Sequence, residues 1–600
     1  MTSRRRLCRW GGWFTLAHAS FLVLIGLRYL WYYARLAPSM GWIYAVMAFV
    51  GHMGALACVP ILVVLPMMLL APRWTRLIVP VAVLLASAEA ALLLLDASVF
   101  AEERSHLNVL TFALPEPRTG AALAFYFGGA LLIEALLARG VWRRTASASR
   151  SRAGACLAVI VAGCFLASHL VHAWAEAHSY VPVTAFTRFL PLYFPLQDSR
   201  RMERLGLVSE ARTREFRRVA AMGRPADGGL RYPLAPLHCD PPSPRLNVLL
   251  VVIDGMRADA LTPVLTPALS QFGKGAVRFD AHYSGGMGSR AGMFSLFYSL
   301  PATYWDSFAD VAQPPVVMEL FRRYGYQLGL FSSAPVTLWV VELDRTALAR
   351  VPNLRVETTS PNPKSSGRDR TLTSEWYDWL ERRDPSRPFF GFLYYNAAVT
   401  YEPPDDYPSV VPVPADAPAQ VVKRARYLTA LRFIDDLLRG VLNDLARRGL
   451  VEHTVVIVTS DHGMEFGENG LGFTGHNTAY SELQLHVPLL VRWPGRAPGR
   501  ISRRTSHFDL APTLLSRVFG CTNPPSDYSS GQDLFGERAW PWLVAAGRHN
   551  FALVEPERVT IVWPTAYEIR DGSYRLIPNA ALPRERLRVA LEEMRRFYRP

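Results

Sequence analysis

The chain has 600 residues, half of them hydrophobic, with a mean hydropathy of +0.11 and a formal net charge of +15. That length allows about two to four domains, and the hydropathy argues against a purely soluble protein. The positive charge is nearly all arginine, with lysine only at Lys274, Lys364 and Lys423. There is no zinc-finger spacing, P-loop or glycine-rich dinucleotide loop, so the charge points to an anionic membrane surface and away from nucleic acid.

The apolar surplus lies at the front, in Trp13–Tyr32, Trp42–Leu70, Leu77–Phe100, Ala121–Ala138 and Ala153–Trp174. A helix of about 20 apolar residues crosses a bilayer, so five spans are predicted. The first lacks a small-residue cleavage site and reads as a span, not a cleaved leader. The second is long enough to tilt or to bend at Pro60. Arg4, Arg5, Arg6 and Arg9 precede the first span. Arg73 and Arg76 follow the second, and Arg139, Arg143, Arg144, Arg150 and Arg152 follow the fourth. The opposite loops hold only Arg35, Arg104 and Arg118. The positive-inside rule then predicts a cytoplasmic N-terminus and everything after Trp174 outside the cytoplasm. Glu89, Asp96 and Glu134 fall within spans. The expectation is that the glutamates pair inside the bundle and that Asp96 lies near the outer interface.

Residues 175–245 read as an interfacial connector rich in proline and arginine, with a helical stretch near Ser209–Met222. Phe186, Phe189, Leu190, Leu192, Tyr193, Phe194 and Leu196 form an aromatic-apolar patch, followed at once by Arg200, Arg201 and Arg204. Aromatics favour the membrane interface, and guanidinium forks suit lipid phosphates. Cys58, Cys156 and Cys164 fall in spans and Cys8 on the cytoplasmic side, so Cys239 and Cys521 are the two cysteines expected outside the cytoplasm, where both a disulfide and two free thiols remain open,.

From Leu246 strands alternate with helices. The predicted strands are Leu246–Ile253, Tyr326–Ser332, Phe389–Asn396, Thr454–Ser460 and Pro488–Trp493. Between them lie helices at Pro315–Tyr324, Arg370–Arg383 and within Gln420–Arg448. This pattern predicts a mostly parallel sheet sandwiched by helices. Arg345–Arg370 and Tyr401–Pro418 read as surface insertions, and Pro583–Pro600 as an amphipathic basic helix packed on the domain. The expected organisation is thus a transmembrane domain over 1–174, a linker over 175–245 and an α/β domain over 246–600.

Asp254 ends the first of these strands, and Asp461-His462 ends a later one, the position where open α/β sheets place their sites. Between them, Tyr283–Gly292 is a glycine-rich loop opening an apolar helix, with Ser289 near its N-terminus. One divalent cation held by Asp254, Asp461, His462 and Ser289 would activate the serine hydroxyl toward a phosphoryl or sulfuryl group. Mixed oxygen and nitrogen ligands suit Zn, Mn or Mg. His476 is a further imidazole for the substrate or a second metal. His282 and His486 read as structural. Singly, Asp254-Gly255 is an ordinary turn and Ser289 an ordinary helix cap; it is their order along the chain that points to a site.

Asn247–Leu261 (NVLLVVIDGMRADAL), Thr454–Gly463 (TVVIVTSDHG), Val487–Gly495 (VPLLVRWPG) and His507–Leu515 (HFDLAPTLL) resemble the sulfatase branch of the alkaline phosphatase superfamily. Leu95–Leu114, the Leu190–Leu207 connector, Phe294–Tyr304, Gln327–Ser333 and Tyr528–Phe535 resemble the YejM-like (PbgA, LapC) proteins of Gram-negative inner membranes. That resemblance implies five membrane helices, an interfacial linker and a periplasmic sulfatase-like domain. It implies a regulator of outer-membrane lipid balance that binds lipopolysaccharide or cardiolipin, with Arg200 and Arg201 on lipid phosphate and an adaptor and protease as partners. The chain departs from the family in keeping Asp461-His462 together with His476, as lipoteichoic-acid synthases and phosphoethanolamine transferases do; those carry threonine where Ser289 stands. The Cys-x-Pro-x-Arg sulfatase signature is absent, which argues against a formylglycine sulfatase and favours a phosphoric over a sulfuric ester. Ala397-Ala398-Val399-Thr400 stands where a substrate-binding histidine is usual. The alternative reading is therefore a metal-dependent phosphohydrolase or phosphotransferase acting through Ser289.

Overall fold

A computed structural model describes residues 3–34, 39–103, 106–107, 117–147, 153–178, 183, 185–196, 229–335, 341–355, 358, 360, 362–547, 550–563, 567–578 and 580–598. The chain divides into two compact units, residues 1–229 with 598–600, and Leu230–Phe597. Arg200, Arg201 and the helix expected near Ser209–Met222 lie outside the described residues.

Among the described residues the first unit holds five stretches long and apolar enough to cross a membrane. They are built from helices Ser3–Ala34, Ser39–Leu56, Val59–Leu70, Thr75–Glu103, Pro117–Ser147 and Ala153–Ala177. The second stretch is broken at Ala57-Cys58, one turn ahead of the ring of Pro60. Proline offers no N–H to the preceding turn and its ring crowds the carbonyl four residues back. The intramembrane glutamates meet on a histidine that the sequence did not single out. His18 Nδ1 lies 2.7 Å from Glu134 Oε1, and Nε2 lies 3.4 Å from Glu89 Oε2. Asp96 is held by Tyr29, by His106 at 2.7 Å and by the Leu107 N–H at 2.6 Å. The aromatic patch after the last span splits in two. Phe186, Phe189, Leu190 and Tyr193 are buried against the helices, whereas Leu192, Phe194 and Leu196 are exposed.

The second unit is built on a seven-stranded sheet of order β3-β4-β1-β5-β8-β2-β9. Its strands are β1 (Asn247–Ile253), β2 (Val277–Tyr283), β3 (Gln327–Ser332), β4 (Phe389–Tyr395), β5 (Thr454–Thr459), β8 (Leu489–Arg492) and β9 (Gly499–Ser506). A two-stranded ribbon, β6 (Glu465–Phe466) with β7 (Thr474–Gly475), rises between β5 and β8. The pairings β3/β4, β4/β1, β1/β5 and β2/β9 are parallel, and β8 runs antiparallel to both neighbours. Every residue of β1, β4 and β5 is buried, as expected for parallel strands covered on both faces. Helices Ser365–Arg382 and Ala419–Arg447 pack Trp376, Leu380, Leu431, Ile434 and Leu438 onto this centre.

Two strands escaped the sequence reading because they carry charge. β2 alternates buried Val277 and Phe279 with Arg278 and Asp280, and β9 is an arginine-rich edge strand. A separate antiparallel meander, β10 (Leu543–Ala546), β11 (Phe551–Val554), β12 (Arg558–Val562) and β13 (Tyr567–Asp571), was also not foreseen. The C-terminal helix forms over Arg584–Arg595 and buries Leu587 and Ala590. Cys239 and Cys521 are joined in a disulfide.

Candidate metal centre

Parallel pairing sets the site. β1 and β5 are neighbours in register, Val252 beside Thr459, so the residues following both strands emerge at one edge of the sheet. Asp254 leaves β1 there, and Asp461 and His462 leave β5. Ser289 arrives from the other side as the first residue of helix Ser289–Tyr298. That helix approaches closely only because Gly292 has no side chain: a Cβ at Gly292 would fall 2.0 Å from the Asp461 carbonyl oxygen.

Four side chains converge. His462 Nε2 lies 3.2 Å from Asp254 Oδ1, 3.6 Å from Asp461 Oδ2 and 3.0 Å from Ser289 Oγ. Ser289 Oγ is 3.5 Å from Asp254 Oδ1. All four residues are buried, and ligand atoms of Asp254, Asp461 and His462 lie within 4.8 Å of one another.

The surroundings orient these atoms. His462 Nδ1 sits 2.8 Å from the Gly463 carbonyl and donates to it, which leaves Nε2 turned to the carboxylates. Asp461 Oδ1 accepts from the Gly255 and His462 backbone N–H groups at 3.2 and 3.0 Å, which leaves Oδ2 facing His462 and Tyr394. Asp254 Oδ2 accepts from Tyr394 at 2.6 Å and from Asn396 Nδ2 at 2.8 Å, which frees Oδ1. The same Tyr394 hydroxyl, with its one proton, also lies 3.1 Å from Asp461 Oδ2, so it stands between the two carboxylates. Such partners hold ligands of a metal in place.

Burial sets the two carboxylates and the imidazole in competition for charge. Burial, together with the charge of Asp254, pushes the Asp461 carboxyl up to about 6. Burial also works against ionised Asp254, but the hydrogen bond and charge of His462 outweigh it and hold Asp254 below the usual carboxylate range. Burial opposes a charged His462 as well, yet the charge of Asp461 and the hydrogen bond to Asp254 raise it to about 9. Without a metal, a proton on His462 supplies the positive charge that the two carboxylates demand. Two carboxylates, one imidazole and a hydroxyl are donors that Zn, Mn and Mg accept, so the residues fit the group. A divalent cation bound there would polarise a phosphoryl oxygen and acidify the serine hydroxyl.

His476 follows β7 and stacks on His462, ring centroids 4.7 Å apart, without joining the ligand cluster. Burial and the neighbouring His462 lower it to about 4, so it stands neutral beside the site. His282 and His486 are structural: His282 Nδ1 meets Thr505 Oγ1 at 3.0 Å, and His486 bridges Glu482 and the Asp280 carbonyl. Ala397 and Ala398, in the stretch where the family resemblance expects a substrate-binding histidine, are fully buried and offer no polar side chain.

Tyr394 and Asn396 went unnoticed as site residues. The signal was present: they stand two apart at the end of β4, on one side of the strand next to β1,.

Residues 1–239 match a domain of unknown function, DUF3413, and residues 246–520 match the Sulfatase family. The chain is 30% identical over 568 residues to the Inner membrane protein YejM of Salmonella typhimurium, covering 93% of this chain and 91% of that protein. It is 28% identical over 580 residues to a protein of Haemophilus influenzae, covering 95% and 91%. Among solved structures it is similar to the phosphonate monoester hydrolase of Agrobacterium radiobacter, at a TM-score of 0.46 and 17% identity, covering 59% of this chain and 96% of that one.

Proposed function

The chain belongs to the YejM family of inner-membrane proteins, and on that premise we propose that it regulates outer-membrane lipid balance from the inner membrane, sensing lipopolysaccharide or cardiolipin. The observation that carries this reading is the kinship over 93% of the chain, membrane helices and sulfatase-like domain alike. In this reading residues 1–174 anchor the protein, 175–245 meet the bilayer surface and 246–600 face the periplasm. The Cys239–Cys521 disulfide supports an oxidising compartment for the second unit,. Exposed Leu192, Phe194 and Leu196 suit the interface just ahead of Arg200 and Arg201, which are assigned to lipid phosphate,. An adaptor and a protease of lipopolysaccharide synthesis are the protein partners. In cells, Arg200→Ala with Arg201→Ala should disturb lipopolysaccharide levels while Ser289→Ala leaves them normal. Normal control in the double variant would remove the assignment.

A second reading is favoured by one observation, the buried carboxylate–imidazole cluster with Ser289 Oγ 3.0 Å from His462. In it the protein is a metal-dependent phosphoric ester hydrolase or transferase acting on an envelope lipid or glycan. Ser289 Oγ attacks phosphorus, the ester alcohol leaves with a proton, and water or an acceptor hydroxyl then takes the phosphoryl group from the serine in line. Asp254, Asp461, His462 and Ser289 would hold one Mn, Zn or Mg ion, and neutral His476 would contact the substrate. Metal analysis of the purified chain tests this first, with about one divalent ion per chain expected. Ser289→Ala and Asp461→Ala should then abolish turnover of a model phosphate ester while folding is kept. A chain that holds no metal, and is not rescued by added Mn or Zn, overturns the reading.

A further inference from the structure

Away from the metal centre, the second unit contains a cavity of about 200 Å³ between the start of β10, the loop at residues 530–532 and helix Arg584–Arg595. Trp540, Trp542, Arg538, Gln532, Ser530 and Glu593 supply its chemistry. The Trp540 indole is fixed in place. Its N–H is directed at both carboxylate oxygens of buried Asp509, at 2.9 and 3.0 Å, and Phe508 packs edge-on against it with centroids 6.0 Å apart. The same carboxylate accepts the Gln532 backbone N–H at 3.1 Å. Gln532 Nε2 donates to the Arg538 carbonyl at 2.6 Å, and its Oε1 makes no hydrogen bond among the described residues. The Arg538 guanidinium is exposed and forms no ion pair among the described residues. Glu593 accepts from Ser530 Oγ at 2.9 Å and is paired with Arg596.

These features narrow the ligand. About 200 Å³ lies below the roughly 300–1,000 Å³ of ordinary small-molecule sites,, so the cavity takes a single ring or headgroup and not an acyl chain. Two indoles would suit a quaternary ammonium. Here the one acid is already neutralised by Arg596 while Arg538 stands unpaired, so a cation is repelled. A small anion would use Arg538 and leave both indoles without a role. A pyranose uses all of the parts. Its C–H face lies on a rigid indole, and adjacent hydroxyls meet a free guanidinium donor and a free amide acceptor on the rim. A wall held by buried Asp509 is organised before the ligand arrives, which lowers the ordering cost of a weak polar ligand.

We propose that the cavity walled by Trp540 and Trp542, with Arg538 and Gln532 at its rim, binds one monosaccharide unit of an envelope glycan or glycolipid, separately from the metal centre. The test uses the full chain in a zwitterionic detergent free of sugar. Saturation-transfer NMR is recorded with methyl glucoside and N-acetylglucosamine, and with glycerol 3-phosphate and choline for comparison. A sugar should receive saturation at its ring protons, and Trp542→Ala and Arg538→Ala should each weaken it about tenfold or more, with melting temperature and metal content unchanged. Absence of transfer to either sugar at millimolar concentration overturns the proposal. So does transfer that survives both substitutions, or binding of glycerol 3-phosphate or choline in place of the sugars.

Discussion

Gly292→Ala sets two opposing effects against each other at the candidate metal centre. Alanine is favoured over glycine inside a helix by about 0.8–1.0 kcal/mol, so by propensity alone the variant would be the more stable. The geometry opposes this. The added Cβ would lie 2.0 Å from the Asp461 carbonyl oxygen, against 3.4 Å for ordinary contact, a shortfall of about 1.4 Å. The obstacle is backbone at the end of buried β5 and cannot rotate away. Overpacking of this kind costs roughly 1–3 kcal/mol, so the net expectation is a loss of up to about 2 kcal/mol with the fold kept. Relief requires helix Ser289–Tyr298 to move back from Asp461, taking Ser289 Oγ out of its 3.0 Å contact with His462. Displacements near 1 Å cost on the order of a hundredfold in rate where a reaction depends on them. Gly440→Ala is the control, because its Cβ would meet only the far end of the half-buried Tyr377 side chain, at 2.5 Å, and no backbone. Thermal unfolding of the full chain should place Gly292→Ala below the parent and Gly440→Ala level with it or above. A Gly292→Ala protein as stable as the parent, with unaltered metal affinity, would refute the close-approach argument.

Three further outcomes are expected. Tyr394→Phe removes the one hydroxyl shared by Asp254 and Asp461; chelator competition should show metal affinity reduced about 10–100-fold, as for other partners of ligands, and equal affinity would deny Tyr394 that role. Burial pushes Asp509 up to about 7, above its unfolded value, so the folded state binds the extra proton. The associated stability is full below about pH 4 and is lost as pH rises through 7, by an amount on the order of a few kcal/mol. Denaturant titrations of the parent against Asp509→Asn should show that difference in slope, and parallel pH profiles would contradict it. Mass spectrometry without reductant should find Cys239 linked to Cys521, 282 residues apart. Opening so long a loop should lower stability by at most about 5 kcal/mol, and two free thiols would contradict the bridge.

Much of this protein could be read from hydropathy and strand ends. β1, β4 and β5 are runs of apolar or aromatic residues because both faces of the sheet are covered, and such runs announce themselves. Asp254, Asp461 and His462 could be found because a polar group directly after a buried strand is conspicuous. The strands β2 and β9 could not, since Arg278, Asp280, Arg500 and Arg503 break the apolar pattern while the pairing still holds. Tyr394 and Asn396 resembled ordinary strand residues, and only the register of β4 on β1 brings them to Asp254. The role of His18 depends on helices far apart in the chain, and no local pattern shows that Glu89 and Glu134 flank one imidazole. The pinned Trp540 depends in the same way on Asp509, 31 residues earlier.

The Cys239–Cys521 bridge also bears on mechanics. The chain enters the second unit at Leu230 and is fastened by the Arg231 and Leu234 backbone N–H groups to the carbonyls of Phe597 and Asp527. It reaches the disulfide before it reaches β1. Tension arriving along this segment passes through the covalent link into the loop after helix Leu510–Arg517 and is diverted from the strand that carries Asp254. A pull on the chain ahead of Leu230 would therefore load the Cys239–Cys521 link before it loads β1 and the candidate site at its end.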